Sequence, residues 1–159
     1  MVFRENGRLV ASVPALLPAG QVQTLVQGVA GRFLEQERRR RVPDDEGELV
    51  ARAKALFDKH IAAAVTETLP PFTVRWVGNQ QNRWGSCTQS EGTIRLSERI
   101  RDLPSWVVDC VLLHETLHLI EYGHTPRFKR LLARYPLAER ARGFLEGYQA
   151  AVGSPPGDW

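Results

Sequence analysis

The chain has 159 residues, 43% of them hydrophobic and 25% charged, with a formal net charge of +3, two cysteines and four histidines. That length suits one domain with a proper core and excludes a catalytic unit joined to an independent regulatory one. No stretch approaches the roughly 18 apolar residues of a membrane helix, the start MVFRENGRLVAS has no secretory-signal pattern, and Cys87 with Cys110 makes no disulfide framework, so a cytoplasmic chain with reduced thiols is expected.

Residues 1 to 13 alternate weakly, with Val2, Leu9 and Val10 inward, and read as one or two short strands before a break over 14 to 20. Helical spacing follows over 21 to 41 through Leu25, Val29, Phe33 and Leu34. Most of the positive excess gathers at its end, in the run Glu37, Arg38, Arg39, Arg40 and Arg41. Without interleaved aromatic residues the run reads as a solvated helix end, and DNA is left as a partner without support. A second helix over 45 to 68 carries Leu49, Ala53, Leu56, Phe57 and Ile61 on one face, capped by Asp44 or Asp45. His60 belongs to it as a surface or core-edge residue.

After Pro70 and Pro71 the apolar period shortens from about 3.6 to about 2. Residues 72 to 77, 83 to 87 and 93 to 97 read as short strands, with turns at Gly78 and Asn79 and at Glu91 and Gly92. The fold class expected is α+β: a small, mostly antiparallel sheet of three to four strands packed against a helix over 104 to 121, opened by Pro104. Thr125 would cap a short helix carrying Phe128, Leu131 and Leu132, and a last helix would run from 137 to 152. One domain over 1–152 results, with 153–159 a disordered tail.

Three of the four histidines, His114, His118 and His124, lie close together around the motif HETLH. On a helix, a four-residue step turns about 400°, so His114 and His118 project from one face roughly 6 Å apart and one metal ion can take both. Glu115 points about 100° away, unsuited to ligation from that face but able to reach a water on the metal as general base. Val111, Leu112, Leu113, Leu117, Leu119 and Ile120 bury this helix nearly all round. Histidines and a glutamate are costly there unless a metal and its water pair with them.

A catalytic zinc site takes three protein ligands and leaves one position for water. Glu121 shares the histidine face but lies roughly 10 Å further along the axis than His114. Gly123 permits a chain reversal that brings His124 back beneath the ion, which makes His124 the better third ligand. A thermolysin-type arrangement, with Glu139 or Glu146 from a later helix, serves only if His124 does not. Metzincins share the histidine spacing but require glycine where Glu121 stands and a methionine turn, whereas the one methionine is Met1.

Four blocks in order, NRWGSCT at 82–88, GTIRLSERI at 92–100, LPSWVVDCVLLHETLHL at 103–119 and GHTPRF at 123–128, resemble the YgjP-like, or SprT-like, bacterial zinc metallopeptidases. The resemblance is firm over about 72 to 130, within the HExxH, gluzincin-like class. It implies His114, His118 and His124 as zinc ligands and Glu115 as catalytic base. In the third-ligand segment Gly123 replaces the family's asparagine and Thr125 its serine, and Lys129 stands where the family usually has tryptophan.

The function expected is that of a zinc-dependent metallopeptidase with one Zn2+ per chain, in which Glu115 activates a zinc-bound water against peptide bonds of proteins or peptides. In the resembled peptidases an edge strand runs above the metal and pairs with extended substrate. The strand before the zinc helix corresponds to it, which makes Thr93, Ile94, Arg95 and Leu96 substrate-binding. Tyr122, Arg127 and Tyr135 are candidates for stabilising the oxyanion, and Trp84, Gly85 and Ser86 can shape the wall. The alternative is a zinc hydrolase of nucleotides or phosphate esters, with Arg83, Arg95 and Arg127 on phosphate, but no glycine-rich phosphate loop is present. The chain is taken as a monomer.

Overall fold

The structure, a computed structural model, describes residues 2–5, 8–15, 17–40 and 42–153. The arginine run at 38–41 has its side chains outside this description, and residues 154–159 lie outside it altogether. By packing the chain divides into two compact units, Met1–Arg41 and Val42–Trp159. In the first, strands β1 (Val2–Glu5) and β2 (Arg8–Ala11) form an antiparallel hairpin that contacts helix α1 (Ala19–Arg40).

The second unit begins with helix α2 (Glu46–His60), whose Asp45 carboxylate accepts from the Glu48 N–H at 3.0 Å. Glu46 and Glu48 add negative charge to the first turn, and the helix buries Leu49, Ala53 and Phe57. It is shorter than the sequence suggests, giving way to a 3₁₀ turn at Ala62–Ala64. The β-branched Val65, Thr66 and Thr68, followed by Pro70 and Pro71, favour extended chain over another helical turn.

Strands β3 (Thr73–Val77), β4 (Gly85–Thr88) and β5 (Thr93–Ser97) form a sheet in the order β3-β5-β4. β5 runs parallel to β3 and antiparallel to β4, so the sheet is mixed where a mostly antiparallel one was expected. The same order corrects the edge expected at Thr93, Ile94, Arg95 and Leu96. These residues are central, paired with Thr73, Val74, Arg75 and Trp76 on one side and with Thr88, Cys87, Ser86 and Gly85 on the other. Ile94 and Leu96, both fully buried, suit a covered middle strand, while the small and polar β4 suits an edge.

Helix α3 (Ser105–Leu117) packs against α2, β4, β5, α4 (Pro126–Leu132) and α5 (Ala138–Val152). One apolar cluster joins its Val107, Val108, Val111 and Leu112 to Val74, Ile94 and Leu96 of the sheet. A second joins Leu113 and Leu117 to Phe57, Phe128 and Leu131. Pro104 is the cap preceding this helix, which ends at Leu117 and not at 121. Its last turn tightens: the N–H groups of His118, Leu119 and Ile120 donate to carbonyls three residues back. Outside the apolar contacts, Arg52 of α2 makes two hydrogen bonds to Asp109 of α3, at 2.6 and 2.9 Å. Among the described residues no helix is long and apolar enough to cross a membrane.

Candidate metal centre

His114 sits one turn before the end of α3, 6% exposed, and His118 caps that end. Gly123, at φ +77°, turns the chain through the left-handed region anticipated for it. Thr125 then starts α4, its hydroxyl accepting from the Phe128 N–H at 3.1 Å. His124 stands between these two devices. The Nε2 atoms of His114, His118 and His124 converge, with separations of 3.2, 3.3 and 3.0 Å. Bonds of about 2.0–2.1 Å to a tetrahedral zinc place ligand atoms roughly 3.3 Å apart, so the set fits such an ion. Among the described residues, this is the one cluster of three or more His, Cys, Asp or Glu side chains able to hold a metal.

The protonation chemistry agrees. His118 Nδ1 lies 3.1 Å from the Glu121 carbonyl oxygen, which can only accept, so Nδ1 carries the proton and Nε2 presents its lone pair. Burial lowers the His114 pKa to about 3, helped by His118 and His124. Burial also lowers His118, opposed by the bond to the Glu121 carbonyl. Both imidazoles are therefore neutral near pH 7, the state a metal needs. Phe128 underlies all three rings, stacked on His118 at 4.4 Å and edge-on to His114 at 4.8 Å and His124 at 5.2 Å.

Glu115 is 7% exposed and lines a groove of about 390 Å³ with the three histidines, Arg83, Tyr122 and the edge strand β4. Burial raises its pKa to about 8, opposed by Arg83. A dication beside it would favour the carboxylate. β4 approaches so closely that a Cβ on Gly85 would lie 2.9 Å from Glu115 Cγ and 3.0 Å from its Oε1. This contact gives Gly85, named in the sequence only as wall, a specific relation to Glu115. The Phe128 platform was not anticipated, although it closes the GHTPRF block.

Glu121, set aside as a ligand, braces the turn between His118 and His124. Its carboxylate accepts from Thr125 Oγ1 at 3.1 Å and Arg127 Nη1 at 2.5 Å, while Arg127 Nη2 donates to Glu67 at 2.7 Å. Arg127 is thus committed to carboxylates. Tyr135 is committed too, its hydroxyl donating to the Trp106 carbonyl at 3.0 Å. Of the three oxyanion candidates Tyr122 lines the groove, 84% exposed. Trp84 is core, packed by Tyr148 and covered by the Arg99 guanidinium. His60 meets Tyr135 edge to face at the rim of the second cluster, and both cysteines are free thiols.

A family model described as YgjP-like, metallopeptidase domain, matches residues 35–146. A crystal structure of the metallopeptidase zymogen of Pyrococcus abyssi abylysin superposes with a TM-score of 0.51. The likeness covers 69% of this chain and 97% of that one at 20% identity, and is a likeness of fold. No curated protein matches.

Proposed function

The chain belongs to the YgjP-like metallopeptidase family, and from that premise we propose that it is a zinc-dependent peptidase using Glu115 as general base and His114, His118 and His124 as the metal ligands. The observation that carries this reading is the convergence of three Nε2 atoms beside a buried carboxylate in an open groove. Zinc held there would lower the pKa of a water molecule and polarise a substrate carbonyl. Glu115 accepts the proton of that water as its oxygen attacks the carbonyl carbon. The same carboxyl then passes the proton to the amine nitrogen as the C–N bond breaks, which restores Glu115 for the next turnover. Arg83 and Tyr122 both line the groove and would be the groups to meet the carbonyl oxygen as it gains charge.

Protein or peptide substrate would lie along β4. Its outer edge has no strand partner in the sheet and borders the groove, so an extended peptide can add there by main-chain hydrogen bonds. Such binding reads backbone before side chain, and this is the role that Thr93 to Leu96 on the central strand cannot fill. The nucleotide alternative receives no support from the carboxylates, since two-metal phosphoesterases commonly use clusters of them and the cluster here is of histidines.

The test is incubation of zinc-loaded protein with casein, with and without DNA, and separately with nucleoside triphosphates. Casein fragments that disappear with a chelator and return with zinc are expected. Hydrolysis of the triphosphates with casein intact would overturn the peptidase reading.

A further inference from the structure

Two cavities meet at the histidines. The groove along β4 lies on one side, and on the other a second cavity of about 380 Å³ is also lined by His114 and His124. Its walls also include Cys110, one helical turn before His114, and Phe128, Leu132, Tyr135 and Ala138. No residue of β4 contributes to it. We propose that this second cavity is a specificity pocket that takes one large apolar side chain from a substrate residue flanking the bond cleaved.

The inference rests on the peptidase reading and deepens it. A peptide extended along β4 and over the histidines turns alternate side chains to opposite faces of the sheet, so one of the two residues beside the reacting carbonyl can enter the cavity that shares His114 and His124 with the groove. Its volume lies within the range of small-ligand sites. The floor offers little to a polar group: the Tyr135 hydroxyl already donates to Trp106, and burial lifts the Cys110 thiol to about 12, leaving it neutral. A polar side chain would give up water there for few partners, whereas an aromatic or large aliphatic one gains burial against Phe128 and Leu132. At the rim stand the charged Lys129, Glu139 and Arg142, the last donating to Glu146 at 3.1 Å. Lys129 is an exposed residue of this lining. An indole there would occupy part of the space that lysine leaves open.

The experiment is mass-spectrometric profiling of zinc-loaded protein on a peptide library varied at both residues flanking a cleaved bond. Phe, Tyr, Leu or Met should be preferred over Gly and Ala at one of the two by roughly 10- to 100-fold. Lys129→Trp, a surface change, should shift that preference toward small residues with zinc content and Tm unchanged. Leu132→Trp, deeper, should do so more strongly. As a readout besides cleavage, calorimetry on zinc-loaded Glu115→Gln should show tighter binding of a Phe-containing peptide than of its Ala counterpart, and Lys129→Trp should erase the difference. Equal cleavage of Gly and Phe peptides by the parent, or an unchanged profile in Lys129→Trp, would overturn the pocket and leave the peptidase standing. A zinc-loaded parent that cuts no library member would remove the peptidase reading, and the pocket with it.

Discussion

Adding one methyl group at Gly85 tests whether the edge strand sets the position of Glu115. The new Cβ would lie 2.9 Å from Glu115 Cγ, 3.0 Å from Oε1 and 3.1 Å from the Arg95 carbonyl oxygen, while ordinary contact begins near 3.4 Å. About 0.5 Å must therefore be recovered, and Arg95 O belongs to a central strand paired on both sides. The compliant partner is the Glu115 side chain. A displacement of about 1 Å at a catalytic group can cost on the order of 100-fold, so Gly85→Ala should lower kcat by roughly 10- to 100-fold. KM should change little, because β4 keeps its main chain, and zinc should remain because the three atoms nearest the new methyl belong to Glu115 and Arg95 and not to a histidine. The same crowding should cost about 1–3 kcal/mol of stability, read by urea unfolding. Steady-state kinetics on a casein-derived peptide, with metal analysis of the same sample, provides the assay. A folded, zinc-loaded Gly85→Ala protein with parental kcat would refute the reasoning.

Purified protein should hold about one zinc per chain and melt lower in chelator; His118→Ala or His124→Ala should lose the metal and Glu121→Ala keep it. Zinc lost from Glu121→Ala and kept in His124→Ala would reverse the choice of third ligand. Glu115→Gln should keep zinc and substrate binding while hydrolysis falls roughly 10²–10⁴-fold, and a parental rate would end the mechanism. Successive N-methylation of a peptide substrate should raise KM at alternate positions if its backbone pairs with β4, and a flat response would count against strand addition. Asp109→Ala leaves the half-buried Arg52 without its two bonds and should cost about 1–3 kcal/mol in urea unfolding; Arg52→Ala/Asp109→Ala should cost less than the sum of the single changes.

The histidine cluster was legible because its geometry is local. Four residues of helix fix His114 against His118, and a glycine with positive φ fixes the return to His124. Helix shortening at Leu117 does not disturb this, since the tightened turn keeps His118 beside His114. Capping was legible for the same reason: Asp45 and Thr125 act on N–H groups three residues away.

Strand order was not legible, and the reason is physical. β3, β4 and β5 are strands of similar length separated by short connections, which describes a meander as well as the observed order. What distinguishes the two is the burial of Ile94, Leu96 and Ser97 in β5 against β4's small and polar side chains, a comparison between segments that periodicity within one segment does not make. The error carried into the site, because moving the edge from β5 to β4 replaces Thr93 to Leu96 with Gly85 to Thr88 as the main chain facing the groove. Gly85 then acquires a reason of its own. An edge strand would serve substrate beside a buried base only if its backbone lies near that base, and with an added Cβ falling 2.9 Å from Glu115 Cγ there is no room at Gly85 for a side chain.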